Sequence, residues 1–399
     1  MKKNIIGFKY FLVFLFFVLH SFSASTSVEE RNFIEENISE KDEEGSALVY
    51  YPESATRAVH HKLDSLLQRC NKRYDFHGSV LVAKKGKVVF KHHYGYADFK
   101  ERDGIDDGSV FQLASVSKQF TAAAIMMLKD RGQLELDDKV TEFFPDFPYE
   151  EITVRHLLNH TSGLPKYFWL AEHKWQEETP PTNGEMLALM AEQVLPLYFA
   201  PGSRFDYSNT GYFVLASIVE KVAGEEFGAY LQKQIFDPLG MKNSFVYRYS
   251  QDSVQAGQLD GYRLYRRRWH ARIPGTVNDA IVGDKNVYST TEDMLKWINA
   301  LNSGRVVSRS SLEEMYTCGE TRRQRKVPYG FGFRIQEDEE EDRIIYHNGR
   351  WNGFSTSLMQ YPEEELVVIT LEHTNYNSMK LLNSQVRAIV NDNFEDSVY

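Results

Sequence analysis

The sequence of 399 residues carries a formal net charge of −10, because 56 acidic side chains outnumber 46 basic ones. Hydrophobic residues make up 42% and charged residues 26% of the chain, which is typical of a globular protein. This composition excludes a disordered or collagen-like chain and one built of many membrane helices. A negative charge is the wrong sign for general attraction to nucleic acid or anionic lipid, so neither is an expected partner.

The first 25 residues have the layout of a secretory signal peptide. Three lysines precede an apolar run at 10–19, and small residues follow at 21–25. We therefore expect a periplasmic or secreted protein, cleaved after Ser23 or Ser25 and without stable membrane insertion afterwards. An uncleaved anchor is the alternative, although the apolar run is shorter than the roughly 20 residues that a spanning helix needs.

The rest of the chain divides into a linker and a folded domain. Segment 26–54 is predicted to be an acidic linker, because eight acidic side chains and few apolar ones lie between Val28 and Gly45. Apolar stripes at helical spacing predict amphipathic helices at 59–70 and 379–390. Residues 55–399 are therefore expected to form one domain that begins and ends with a helix.

Strand-like runs lie next to both of these helices. They occur at 79–83, 88–94, 329–335, 343–347, 354–361 and 365–372. Capping residues predict helix starts in between, at Thr153, Thr182 and Ser289. The expected fold is α+β: an antiparallel sheet with the N- and C-terminal helices packed on it, and a mostly helical subdomain inserted at about 115–300.

Cysteines, histidines and clustered arginines give no sign of a metal or a cofactor. Cys70 and Cys318 permit at most one disulfide, and we expect two unpaired, buried thiols. The histidine pairs at 60–61 and 92–93 lack an H-E-x-x-H motif, so neither a metal nor a cofactor is expected. The arginine-rich segment 263–272 is interpreted as a solvated loop, with a carboxylate clamp as the alternative.

The segment Ser115-Val116-Ser117-Lys118 contains the only S-x-x-K spacing of the chain. On a helix, Ser115 and Lys118 would share one face within hydrogen-bonding reach. A serine hydroxyl is too weak an acid to attack unaided, whereas a lysine in a cleft can lose its proton and act as the base. A surface serine beside a solvated lysine is the alternative, but the apolar setting at 111–128 favours a catalytic pair.

Two later motifs add groups that suit the same chemistry. Tyr207-Ser208-Asn209 combines a phenol that can relay protons with an amide that can hold a substrate's carbonyl or N–H. His347-Asn348-Gly349 continues a predicted strand, and its glycine would let a substrate lie along the strand edge. Each motif is weak alone, since His93-Tyr94-Gly95 has the same spacing as the last one.

In this order, the three motifs resemble those of the serine penicillin-recognising superfamily, the β-lactamases and DD-peptidases. Residues 157–165, with the sequence LLNHTSGLP, resemble a signature of the branch containing class C β-lactamases, D-Ala-D-Ala carboxypeptidases, D-aminopeptidases and related esterases. Segments 201–212 and 238–241 are similar to that branch too. The resemblance runs from about Leu63 to Phe394 and implies a β-lactamase/transpeptidase-like fold.

The resemblance implies a role for each motif residue. Ser115 is expected to be acylated, Lys118 and Tyr207 to share the proton transfers, and Asn209 to position the amide of the acyl group. The backbone N–H groups of Ser115 and Arg350 are expected to form the oxyanion hole.

The opposite wall, where the resemblance places His347 and Gly349, departs from the β-lactamases of this branch. Those enzymes usually carry Lys-Thr-Gly there, whereas several peptidases and esterases carry histidine. A histidine with the ordinary pKa of about 6.5 is roughly a quarter protonated at pH 7. We therefore expect weak capture of a substrate carboxylate at neutral pH, strengthening as the pH falls from 8 to 6.

Two classes of function follow from these motifs. The expected one is an exported serine hydrolase that forms an acyl-enzyme on small peptide, amide or ester substrates, with D-amino-acid, cell-wall-type peptides favoured by the resemblance. The alternative is a non-catalytic member that binds wall peptides or a partner protein. Intact Ser115, Lys118 and Tyr207 favour the enzyme, because binding alone would not require them. No G-x-S-x-G motif of an α/β-hydrolase occurs.

Overall fold

The computed structural model describes residues 47–249, 254–265, 269–337 and 343–394. The predicted signal peptide at 1–25, the predicted linker as far as residue 46 and the acidic residues 338–342 lie outside these residues. Among the helices that the structure describes, none combines the length and the apolar character needed to cross a membrane.

The elements of the described chain alternate between a strand-rich part and a helix-rich part. The strands are β1 (Gly78–Lys84), β2 (Lys87–Tyr94), β3 (Tyr96–Asp98), β4 (Asp103–Gly104), β5 (Phe111–Gln112), β6 (Phe245–Val246), β7 (Tyr262–Tyr265), β8 (Trp269–Arg272), β9 (Val287–Ser289), β10 (Gly319–Glu320), β11 (Lys326–Val327), β12 (Arg334–Gln336), β13 (Ile344–Trp351), β14 (Phe354–Tyr361) and β15 (Leu366–Glu372). The helices are α1 (Glu53–Tyr74), α2 (Lys118–Asp130), α3 (Val140–Phe143), α4 (Val154–Leu158), α5 (Tyr167–His173), α6 (Asn183–Glu192), α7 (Asn209–Ala223), α8 (Phe227–Leu231), α9 (Thr291–Asn302), α10 (Arg309–Met315) and α11 (Met379–Asn393).

Six strands form an antiparallel sheet in the order β12-β13-β14-β15-β1-β2. The β1–β15 pair joins the two ends of the domain, with Gly78 opposite Glu372. Alternate side chains of β1 enter two different cores: Val82 packs with α1 and α11, and Leu81 with the larger core that includes α9. Because both faces are covered, β1 is continuously apolar rather than alternating.

The helix-rich part centres on α2, which is buried from Lys118 to Leu128. A helix that is apolar on all sides has to lie inside a protein, and α2 packs against α7. A small sheet, β5-β9-β6, ties the chain just before α2 to the chain just before α9. The turn that leads into α2 also contacts β13 and β14. The start of α2 therefore lies where the main sheet meets the helices.

The predicted α+β fold and the antiparallel sheet built from both chain ends are confirmed, but several predicted boundaries differ. Ser289 ends β9, and the N-cap of α9 is Thr290, whose side chain accepts the N–H of Asp293. The strand predicted at 329–335 is only the short β12, because Tyr329 forms just an isolated bridge to Arg334. The last residues of the predicted linker belong to the domain, where α1 begins at Glu53.

The two cysteines are free, as predicted. Cys70 is buried, but the predicted burial of Cys318 is wrong, because Cys318 is partly exposed between α10 and β10. The arginine-rich segment includes the two-stranded hairpin β7–β8 rather than being a loop throughout. The described side chains Arg263 and Arg272 are exposed there, and Arg272 pairs with Asp260.

Candidate catalytic site

Ser115 lies in a short 3₁₀ turn, Ala114–Ser117, that leads directly into α2. The main sheet anchors this turn, because the hydroxyl of Thr356 in β14 donates to the carbonyl oxygen of Leu113 at 2.6 Å. Ala114 adopts a positive φ of 49°, an unfavourable conformation that persists only where the surroundings impose it. The half-buried Ser115 side chain is therefore fixed at the junction of sheet and helices.

Lys118 is fully buried, and its Nζ atom has three partners. It lies 3.3 Å from Oγ of Ser115, 2.8 Å from Oδ1 of Asn209 and 2.7 Å from the carbonyl oxygen of Asp284. The oxygens of Asn209 and Asp284 can only accept hydrogen bonds, whereas the Ser115 hydroxyl can also donate. A neutral amine fits this set, donating to the two carbonyl-type oxygens and accepting from Ser115.

The charge state of Lys118 follows from its surroundings. Burial lowers the pKa of Lys118 to about 7, the Asp284 carboxylate opposes this change, and the Arg334 cation adds to it. A large fraction of the amine is therefore unprotonated at neutral pH, as a general base for Ser115 requires. The predicted proximity of Ser115 and Lys118 agrees with this geometry.

Tyr207 and Asn209 flank the N-cap of α7. The side chain of Ser208 accepts the N–H of Gly211 and so fixes the residues on either side. Tyr207 places its ring centre 5.1 Å from Nζ of Lys118, and its hydroxyl is buried beside Ser115. Burial raises the pKa of the Tyr207 phenol, and Ser115 acts to lower it. The neutral phenol can therefore exchange a proton with a substrate.

His347 uses both ring nitrogens inside the protein. Nδ1 lies 2.8 Å from the carbonyl oxygen of Asn348 and must donate to it, so Nε2 accepts the Tyr329 hydroxyl at 3.0 Å. Burial lowers the pKa of His347 well below its usual range, and the Lys118 and Arg334 cations lower it further. These effects favour the neutral form of the His347 imidazole. The rise in carboxylate capture as the pH falls from 8 to 6 stays a prediction, and the structure argues against it, because the prediction assumed an ordinary pKa for a side chain that is 1% exposed.

Gly349 lies in β13, next to the turn that carries Ser115, and it has no side chain to keep that turn away. A Cβ atom at Gly349 would stand 2.2 Å from the carbonyl oxygen of Leu113 and 2.3 Å from Oγ1 of Thr356. Sequence reasoning had assigned this space to a substrate. The structure fills it with the protein's own backbone, so Gly349 allows the strand and the Ser115 turn to approach each other.

Arg350 follows in β13, opposite Ser355. Its side chain is exposed and donates from Nε to Oδ1 of Asn375 at 2.8 Å. Only its backbone N–H was assigned to the oxyanion hole, and that assignment stays a prediction.

Sequence reasoning missed Asp284 and Lys285, which lie directly behind Lys118. The Asp284 carboxylate is fully buried, accepts the Tyr167 hydroxyl at 3.0 Å and pairs with Lys285 at 3.1 Å. The sequence did contain a signal for this buried pair. Asp284 and Lys285 are adjacent and oppositely charged, and they are the only charged residues in the run 280–291, where solvated side chains are not expected.

Sequence reasoning also missed Arg334, the partly buried first residue of β12. Its guanidinium carbon lies 5.0 Å from the ring centre of Tyr207 and 6.0 Å from that of Tyr329. Within the described ranges no carboxylate pairs with Arg334. The cleft wall that includes His347 therefore does carry a cation, supplied by the neighbouring strand.

A cavity of about 230 Å³ adjoins Tyr207 and Asn209. Its other walls include the aromatic side chains of Tyr167, Phe168 and Tyr198. This volume lies below the range of about 300–1,000 Å³ that is usual for whole-ligand sites. The cavity therefore suits one apolar side chain of a substrate whose reacting carbonyl lies at Ser115.

One cluster of metal-ligand residues lies outside this cleft, formed by Asp75, His77 and His270, whose ligand atoms all lie within 4.8 Å of one another. Asp75 accepts from Nε2 of His77 at 3.2 Å and from Nε2 of His270 at 2.8 Å. Nδ1 of His77 accepts the N–H of Tyr96, so Nε2 carries the proton and has no lone pair for a metal. The arrangement is a carboxylate with two imidazole donors, and the expectation of no metal stays a prediction.

Comparison with known proteins identifies the family. The sequence profile described as Beta-lactamase matches residues 63–391. The chain belongs to the beta-lactamase family.

Two curated relatives illustrate the range of this family. Penicillin-binding protein 4* of Bacillus subtilis (strain 168) is 33% identical over 323 residues, which cover 78% of this chain and 71% of that protein. The D-aminopeptidase of Brucella anthropi is 27% identical over 300 residues, which cover 74% of this chain and 55% of the relative. The chain thus spans only about half the length of the D-aminopeptidase.

Solved structures share the fold. The octameric penicillin-binding protein homologue from Pyrococcus abyssi has a TM-score of 0.72 at 27% identity, covering 83% of this chain and 77% of that one. The D-amino acid amidase from Ochrobactrum anthropi SV3 has a TM-score of 0.70 at 23% identity, covering 85% and 99%, and shows the fold alone. The β-lactamase/transpeptidase-like fold is confirmed, and the chain is a serine hydrolase of the β-lactamase and penicillin-binding-protein family.

Proposed function

We propose that this serine hydrolase is exported and forms an acyl-enzyme at Ser115 on amide or ester bonds, with D-amino-acid, cell-wall-type peptides or related esters as substrates. The observation that carries the proposal is the set of partners of Lys118. Two of them only accept hydrogen bonds, and the third is the hydroxyl of Ser115. A neutral Lys118 amine can donate to these two oxygens and accept the proton of Ser115, whose Oγ lies 3.3 Å from Nζ.

Acylation begins when Lys118 accepts the proton of Ser115 and Oγ attacks the substrate's carbonyl carbon. The carbonyl oxygen becomes an oxyanion, held by the backbone N–H groups of Ser115 and Arg350. The N–H of Ser115 suits this role because the leading N–H groups of a helical turn have no partner within the turn.

Collapse of the tetrahedral intermediate breaks the bond to the leaving group. The leaving nitrogen or oxygen needs a proton, and the Tyr207 hydroxyl relays to it the proton that Lys118 took from Ser115. Water then attacks the ester at Ser115 with the same groups acting in reverse. This step releases the acid and restores the Ser115 hydroxyl.

Three features support the proposed substrate class. The relatives include a penicillin-binding protein and a D-aminopeptidase. Arg334 places a cation beside Tyr207, which suits the carboxylate of a C-terminal peptide unit or of its analogue. The aromatic cavity beside Asn209 suits an apolar side chain next to the scissile bond. Export rests on the signal-peptide layout of residues 1–25.

Covalent labelling tests the nucleophile, and a substrate panel tests the class. We expect a fluorophosphonate and a reporter penicillin to label Ser115, and Ser115→Ala to abolish both labelling and hydrolysis. Ser203→Ala, a change at an exposed serine, is the matched control and should behave as the unmodified protein. The panel contains a D-Ala-D-Ala peptide, a D-amino acid amide, a simple ester and a β-lactam. Labelling of another serine, or hydrolysis that survives Ser115→Ala, would contradict the proposal.

A further inference from the structure

We propose that Lys285 is a positioning residue for the general base: acting through Asp284, it sets the pH at which Lys118 can accept the proton of Ser115. This inference rests on the proposed function, since it assumes that Lys118 is the base.

Lys285 is a buried lysine whose hydrogen bonds are all made inside the protein. Its Nζ lies 2.6 Å from the Tyr167 hydroxyl, 3.2 Å from the carbonyl oxygen of Ile281 and 3.1 Å from Oδ1 of Asp284. An ammonium group has three N–H donors, which matches these three acceptors. The rings of Tyr167, Phe168 and Trp351 surround the same atom at 5.3, 5.6 and 5.2 Å. Such rings attract a cation, and together with the Asp284 carboxylate they favour the charged form of Lys285.

Asp284 links Lys285 to Lys118 through two of its own groups, the side-chain carboxylate and the backbone carbonyl. Its carboxylate binds Lys285 and the Tyr167 hydroxyl, while its backbone carbonyl accepts from Nζ of Lys118 at 2.7 Å. The peptide is held tightly, because the carbonyl of Gly283 accepts the Thr121 hydroxyl at 2.6 Å. Anchoring the carboxylate therefore also fixes the direction of the carbonyl that binds Lys118.

The charge of Lys285 has an electrostatic consequence for Lys118. An unpaired carboxylate at Asp284 would favour the ammonium form of Lys118, and a protonated Lys118 cannot act as the base. The effect is large in a buried site, because the effective dielectric constant there is low. Lys285 neutralises the carboxylate and so leaves Lys118 free to lose its proton. A pair of apolar residues would cost less to bury, which argues that this pair has a role beyond packing.

Other groups face Lys118 as well, and their protonation changes little near neutral pH. Burial raises the pKa values of Tyr207 and Tyr212 and lowers those of His160 and His347 well below the usual range. The Arg334 guanidinium adds a positive charge to the same surroundings. Burial lowers the pKa of Lys285, and the Asp284 carboxylate opposes this change. The pH at which Ser115 becomes reactive therefore reports on Lys118 and on the Asp284–Lys285 pair.

The test is the rate of fluorophosphonate labelling of Ser115 between pH 5 and pH 9. Lys285→Met exposes Lys118 to the Asp284 charge and should raise the midpoint of the acid limb by about one pH unit, with a roughly fivefold slower rate at pH 7. Asp284→Asn should move the midpoint in the opposite direction. The double variant Asp284→Asn/Lys285→Met carries neither charge and should return the midpoint to within about half a unit of the original.

Two further variants keep the outcome interpretable. Lys296→Met makes the same change at a lysine of α9 that pairs with Asp293 at 2.8 Å, and it should leave the midpoint in place. Tyr167→Phe keeps the ring but removes one hydrogen bond to Asp284, so it should shift the midpoint upward even if Lys285→Met fails to fold.

Equal midpoints in every folded variant, with rates that fall only as the melting temperature falls, would show a purely structural role and overturn the inference. A lower midpoint in Lys285→Met, or a higher midpoint in Asp284→Asn, would overturn it too. Absence of Ser115 labelling in the unmodified protein would instead overturn the proposed function.

Discussion

The carbonyl oxygen of Leu113 occupies the space that a side chain at Gly349 would need, since a Cβ atom there would lie only 2.2 Å away. Leu113 precedes the turn that carries Ser115, and Gly349 lies on the facing strand β13. The distance between the nucleophile and this strand is therefore set by the absence of a side chain.

Gly349→Ala should push the strand away from the Ser115 turn. We expect fluorophosphonate labelling of Ser115 to slow at least about tenfold, and the free energy of unfolding to fall by about 1–3 kcal/mol, the usual cost of overpacking. Labelling kinetics and urea unfolding measure the two effects. Gly184→Ala is the control, because its Cβ would meet no described atom within 4 Å. Labelling at the original rate in Gly349→Ala would show that the close approach does not position Ser115.

Lys118→Ala should slow the labelling of Ser115 at least tenfold, the low end for loss of a positioned general base at about 10² to 10⁴. In the unmodified protein the rate should be half-maximal near pH 7, because burial lowers the pKa of Lys118 to about 7. Only the unprotonated amine accepts a proton, so the rate is retained above this pH and falls about tenfold per unit below it. Lys221→Ala, on the exposed side of α7, is the control. An unchanged rate in Lys118→Ala would exclude this lysine as the base.

Arg334 rather than His347 should hold a substrate carboxylate. We compare kcat/KM for a carboxylate substrate with kcat/KM for its neutral amide analogue, so that pH effects on the base cancel. This ratio should stay flat from pH 8 to pH 6, because Arg334 remains charged and burial keeps His347 neutral.

Arg334→Gln should lower that ratio about tenfold, near the low end of about 1.5 kcal/mol for a hydrogen bond to a charged group. Arg272→Gln, in the exposed hairpin, tests the alternative carboxylate clamp and should leave the ratio unchanged. A ratio that rises as the pH falls to 6 would instead indicate that His347 becomes protonated and holds the carboxylate, as the sequence analysis predicted.

The exported protein should begin at Ala24 or Thr26. Residues 1–25 have signal-peptide layout, and cleavage after Ser23 or Ser25 gives these two ends. Mass spectrometry of intact protein from the periplasm or the medium measures the end directly. A protein that retains residues 1–21 in the membrane fraction would show an uncleaved anchor instead.

Much of the fold could be predicted because its signals are local. The stripes that predict α1 and α11 repeat within a few turns, and strand β14 has the predicted bounds 354–361. The N-cap of α9 was misplaced by one residue, because Ser289 and Thr290 are both good caps. Only the pairing of Ser289 with Phe111 in the small sheet decides between them.

The proposed catalytic motifs could also be predicted from the sequence, because each spans only a few consecutive residues. Ser115 and Lys118 stand one helical turn apart, and Ser208 caps α7 between Tyr207 and Asn209. These relationships depend on backbone geometry within a few residues. The sequence by itself therefore determined which serine, lysine and tyrosine are proposed as nucleophile, base and proton relay.

Only the tertiary structure decided which of these groups are charged. Packing lowers the pKa values of His347 and Lys118 because it removes both from water, and neither burial nor distant neighbours can be read from a motif. The partners that matter most, Asp284 and Arg334, lie far along the chain from Lys118 and approach it only when sheet and helices pack together. A pKa depends on desolvation and on charges within a few ångströms, and folding alone fixes those distances.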